Sequence, residues 1–153
     1  AAEIGAFMHK LGVYMFQNLD DWLLIHPVEA VLKEQLAMLI QTVEKLGFLI
    51  NWQKSDLEPS RHFTYLGVLF NLHKGLAFPS KDRLDRLEEA ISSIQSNHGG
   101  QVGMWLHMLG IMASCIEIVP WARLRMRPIQ MFLLAKWRPG SRDVYLWLDL
   151  SNT

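Results

Sequence analysis

The sequence predicts an α+β fold in two parts, antiparallel hairpins with a packed helix over residues 1–79 and an all-helical region over 80–153. Three observations predict it. Short apolar runs bounded by turn residues, the mark of strands, are confined to the first half. Among them, apolar residues recur at helical spacing through residues 28–46. Past Pro79-Ser80 only helical periodicity remains.

Residues 3–11 read as the tail of a helix that Gly12 breaks. Leu11–Phe16 and Trp22–Ile25 then pair as a hairpin with Asp20 and Asp21 at its tip. His26-Pro27 ends the hairpin, with proline suited to the first turn of the next helix. That helix places apolar residues at 28, 31, 32, 36, 39, 40, 43 and 46 on one face and stops at Gly47. Phe48–Trp52 is a short strand candidate, and Lys54–Ser60 a polar loop. Phe63–Phe70 and Gly75–Phe78 are expected to form two strands joined by Asn71–Lys74. Ser80 is suited to cap a helix whose face is Leu84, Leu87, Ile91 and Ile94, ending near Asn97–Gly100. Further helices are expected over 101–118, with Trp105, Met108 and Met112 in its core, and over 121–137, with a kink at Pro128. A last helix starts at Asp143.

The 153 residues, 50% hydrophobic, can build a core and are not those of a disordered chain. No apolar stretch is long enough to cross a membrane and no signal peptide is visible, so an intracellular location, cytoplasmic or nuclear, is expected. Cys115 is the single cysteine; it excludes an internal disulfide, and its apolar neighbours suit a buried, inert thiol. Net charge is zero but unevenly spread. Residues 1–60 hold four lysines against eight acids, and residues 120–153 hold six basic residues against two acids. An acidic half joined to a basic one suits a grip on a polyphosphate backbone, or is ordinary surface variation.

Asp20 and Asp21 are the chemical focus. Neighbouring carboxylates repel unless something neutralises them, and the nearest lysines are Lys10 and Lys33. A hard divalent cation such as Mg²⁺ suits them, and metals that clamp attacking and leaving oxygens perform nucleotidyl transfer. A polar turn with no further role has the same composition.

The order of motifs adds to this. Asn18-Leu-Asp-Asp21, then Lys45-Leu-Gly-Phe-Leu-Ile-Asn-Trp-Gln-Lys54, then Phe63-Thr-Tyr-Leu-Gly67, then Val119–Gln130 resembles the C-terminal palm and thumb or connection of a retrotransposon reverse transcriptase, an RNA-directed DNA polymerase, particularly of the DIRS-like, tyrosine-recombinase-bearing kind. The resemblance implies that Asp20 and Asp21 ligate Mg²⁺ or Mn²⁺ and that Lys54 lies near the incoming triphosphate. It implies that Tyr65, Leu66 and Gly67 hold the primer end. The partners would be an RNA/DNA template–primer duplex and a dNTP, with Arg123, Arg125 and Arg127 candidates for phosphate contact. Asn18 departs from the aromatic that opens the family's box. The family completes its metal site with an aspartate from an earlier strand, and its fingers also come earlier; this segment alone is therefore expected to be inactive. A catalytically dead remnant, or a nucleic-acid-binding module, is the alternative.

Overall fold

The computed structural model describes residues 1–150 and is a mixed α+β structure of helices and small antiparallel sheets. The chain divides into two compact units, Ala1–Leu66 and Gly67–Thr153.

In the first unit, helix α1 (Ala2–Lys10) carries Glu3 in its first turn and His9 and Lys10 in its last, both favourable to the helix dipole. Its Ile4 and Met8, one turn apart, enter the core. Strands β1 (Tyr14–Asn18) and β2 (Asp21–Ile25) pair antiparallel, with Tyr14 opposite Ile25, Phe16 opposite Leu23 and Asn18 opposite Asp21. The period-2 alternation sends Met15, Trp22 and Leu24 inward and leaves Tyr14 and Phe16 exposed. Gly5 is where α1 meets β1: a Cβ there would collide with the Gln17 side chain, which donates to the Ala1 carbonyl at 3.1 Å. Helix α2 (Glu29–Lys45) closes the core with Leu39 and Val43. Pro27 stands just ahead of this helix rather than in its first turn, and the Val28 N–H donates to His26 Nδ1 at 2.9 Å.

Phe48–Trp52 does not form a strand. The chain instead turns at Asn51, whose backbone carbonyl accepts from the Lys54 N–H at 3.2 Å and from Ser55 Oγ at 2.8 Å. Ile50 alone of this run packs on the core, while Leu49 is 99% exposed. The single strand expected over Phe63–Phe70 is likewise interrupted. Strand β3 (His62–Tyr65) ends where Leu66 and Gly67 both take positive φ, 51° and 72°, the sign pattern of a chain-reversing type I′ turn.

The second unit opens with β4 (Val68–Asn71) paired antiparallel to β5 (Leu76–Pro79). Ser80 caps α3 (Lys81–Ser96), its Oγ accepting from the Arg83 N–H at 3.3 Å. Helices α4 (Val102–Ala113) and α5 (Ala122–Lys136) complete a core of Ile94, Val102, Trp105, Met108, Leu133 and Leu148. Met112 packs against it and Cys115 is buried. Helix α4 stops earlier than expected, at Ala113, and α5 continues through Pro128.

The region after residue 80 is not all-helical. Strand β6 (Gly99–Gln101) pairs with β7 (Trp147–Asp149), which replaces the helix expected from Asp143. Gly99 permits this pairing: its φ of 152° is one that L side chains rarely adopt, and a Cβ there would collide with the Leu148 carbonyl. Leu148, opposite Gly100 in this pair, is buried. No helix among the described residues is long and apolar enough to cross a membrane.

Candidate functional site

The hairpin register puts Asn18 and Asp21 in the last pair of strand residues, so the connecting turn is Leu19-Asp20 alone. Asp20 is therefore a turn residue and Asp21 the first residue of β2. Leu19 takes a positive φ of 50° and is 87% exposed. Of the two central residues only the first has positive φ, as in a type II′ turn, where glycine is the usual occupant.

Two side chains fasten this tip. Trp22 Nε1 donates to the Leu19 carbonyl at 2.9 Å. Tyr65, 44 residues further along, directs its hydroxyl at the Asp21 carbonyl, 3.2 Å away, with the Phe16 carbonyl at 3.5 Å. Burial first, and the neighbouring Asp21 carboxylate second, raise the Tyr65 phenol above its ordinary pKa. Both effects oppose ionisation, so Tyr65 stays a donor through neutral pH.

Asp20 and Asp21 are both exposed, and neither has an ion-pair partner among the described residues. Water screens their repulsion, so stability alone does not require a cation there. Two carboxylates are a hard-oxygen donor set that fits Mg²⁺ or Mn²⁺ in part. Among the described residues no three His, Cys, Asp or Glu side chains come together as a metal-binding group. Further ligands would have to be waters or substrate oxygens.

The remaining candidates are dispersed. Lys54 lies in the exposed turn closed by Asn51, with no hydrogen bond or ion pair to Asp20 or Asp21 among the described residues. Leu66 is 43% exposed in its turn rather than buried in a strand. Gly67 does admit a close approach, by the guanidinium of Arg83, with which a Cβ would collide. Arg123, Arg125 and Arg127 are all exposed on α5, where Ala122 and Met126 turn inward. They occupy the first turns of the helix, the positive end of its dipole, where cations are unfavourable. Beside them Ile116, Glu117, Val119, Trp121, Ala122 and Arg123 line an open cleft of about 350 Å³.

The sequence reading missed the two tethers, Trp22 and Tyr65, as structural parts of the tip. The placement of Trp22 directly after the acidic pair is the signal that could have found the first. No protein-family model, curated protein or solved structure matches the chain.

Proposed function

We propose that the chain is the later part of a palm and the thumb or connection of a retrotransposon reverse transcriptase, an RNA-directed DNA polymerase, with Asp20 and Asp21 as metal-binding carboxylates. The observation that carries this reading is the hydrogen bond from Tyr65 to the Asp21 carbonyl. It joins two of the four motifs that carry the resemblance, the paired-aspartate box and the Tyr-Leu-Gly segment, across 44 residues. In this reading Tyr65 holds the acidic tip still. Asp20 and Asp21 present carboxylate oxygens at an exposed turn that a nucleic-acid terminus can reach. A divalent cation bound there would clamp the attacking and leaving oxygens of nucleotidyl transfer. Lys54 would neutralise the departing pyrophosphate, and the arginines of α5 would hold the duplex backbone.

One observation favours the non-catalytic alternative, a nucleic-acid-binding module. Asn18, directly opposite Asp21, offers no ring on which a primer base could stack.

The test is binding of a labelled RNA–DNA primer–template duplex across a salt series. The expected result is affinity that falls steeply with salt and drops when Arg123, Arg125 and Arg127 become alanine. Mn²⁺ should broaden the amide resonances of Leu19–Trp22, and Asp20→Asn should abolish that effect. A folded protein with no duplex affinity at low salt and no Mn²⁺ effect at the tip would overturn the proposal. Duplex binding without the Mn²⁺ effect would select the non-catalytic reading.

A further inference from the structure

Helices α3 and α4 pack through Leu87, Ile91 and Ile94 on one and Trp105 and Met108 on the other. Along the edge of this pair runs an open cleft of about 340 Å³, lined by Arg83, Arg86, His107, Gly110, Ile111 and Ser114. Helical spacing builds both walls: Arg83 and Arg86 are three residues apart on α3, and His107, Gly110, Ile111 and Ser114 follow at i, i+3, i+4 and i+7. No carboxylate lines the cleft. Asp82 meets Arg86 Nε at 3.2 Å from one turn back, in an exposed pair that holds Arg86 only weakly.

Arg83 is fixed from two sides. Its Nη1 donates to the Ser114 carbonyl at 3.1 Å, and its guanidinium packs on Gly67. One cation is thus set in the wall, while Arg86 and His107 stand at the exposed mouth. Between them Gly110 has open space where a Cβ would lie, so a ligand can approach the backbone there.

We propose that this cleft binds a phosphate group. Two guanidiniums and an imidazole converge on a space free of acidic lining, and a planar guanidinium fork matches phosphate oxygens. Arg86 and His107 would contact the ligand, with Arg83 adding fixed positive charge behind them. Two sources share this chemistry, a nucleic-acid backbone and a small phosphate ligand. Assigning it to the backbone rests on the polymerase reading; the cleft itself does not.

The experiment titrates ¹⁵N-labelled protein with inorganic phosphate, against chloride at matched ionic strength. The expected result is saturable shifts centred on Arg86, His107 and Gly110, weakened at least tenfold in Arg86→Gln and His107→Gln. Lys74→Gln, at an exposed lysine of the β4–β5 turn, should bind phosphate as the unchanged protein does. Because both substituted side chains are exposed, the rest of the spectrum should be preserved, which separates lost binding from lost folding. Shifts no larger than those in chloride, or unaltered binding by both variants, would overturn the proposal. In a second arm, the same variants are measured against the RNA–DNA duplex. A lower affinity with a salt slope reduced by about one per cation identifies the backbone as the source. Phosphate binding without any duplex binding supports the cleft as a small-ligand site while the polymerase reading fails.

Discussion

Replacing Tyr65 by phenylalanine removes one hydroxyl and leaves the ring, so it tests the tether on the acidic tip in isolation. The lost interaction is one hydrogen bond to the Asp21 carbonyl at 3.2 Å, with a weaker alternative to the Phe16 carbonyl at 3.5 Å. A neutral hydrogen bond contributes about 0.5–1.5 kcal/mol net. The site is partly open and water can replace the donor, so the lower part of that range applies, about 0.5–1 kcal/mol. For a unit of this size, 1 kcal/mol corresponds to roughly 4–8 °C in Tm, so a fall of roughly 2–8 °C is expected. The pH dependence has a definite sign. The phenol pKa is raised in the folded state, so folding favours the protonated form. That contribution is fully present below the unfolded value of about 10 and is lost as pH rises through the higher folded value. Thermal unfolding at pH 7 and across pH 9.5–11.5, with amide exchange at residues 18–22 to locate the change, measures both effects. The native protein should lose stability over the alkaline window more steeply than Tyr65→Phe, and the tip amides should exchange faster in the variant at pH 7. An unchanged Tm at pH 7, unchanged tip exchange and superimposable alkaline profiles would refute the tether.

Two further outcomes follow from the site. Gly67→Ala should destabilise the second unit by about 1–2 kcal/mol in denaturant unfolding, because φ is 72° and the new methyl displaces Arg83; an increase in midpoint would show that the turn relaxes freely. Converting Arg123, Arg125 and Arg127 to alanine should stabilise α5 by about 0.3–1 kcal/mol for each residue in its first turn while weakening duplex binding. Loss of both stability and binding would mean that the arginines serve the fold.

What was legible in the sequence was local. The N-cap at Ser80, the apolar face of α3 and the hairpin around the aspartates each follow from side chains a few residues apart. Some misreadings were local, as at the Leu66-Gly67 turn, and others depended on partners distant in the chain. Phe48–Trp52 has the composition of a strand but no pairing partner, so Asn51 folds it into a turn. The segment after Asp143 forms a strand against Gly99, some fifty residues earlier, which lets another backbone close on it. The cleft residues Arg83, Arg86 and His107 likewise lie on two helices, and their shared space is visible only when those helices pack.

The tip of the β1–β2 hairpin also bears on whether Asp20-Asp21 is merely a polar turn. A turn selected only to reverse the chain would place glycine at position 19, where positive φ costs nothing. Leucine there accepts a cost of about 1 kcal/mol and stands almost wholly in solvent, where it gains little by burial. Strained, exposed turn residues persist when surrounding contacts over-determine them, and here the Trp22 indole and the Tyr65 hydroxyl both hold the tip. A tip with a strained central residue and two side-chain tethers is costly for a connector but suits a platform that must present two carboxylates in fixed positions. Leu66 takes nearly the same φ, 51°, in another exposed turn, so the strain alone does not mark a site; for the metal site proposed above, Leu19→Gly is the informative change: by relieving φ while loosening the turn, it should raise stability and weaken Mn²⁺ binding at Asp20 together. A variant that gains stability and binds Mn²⁺ as the native protein does would show that the strain has no part in the site.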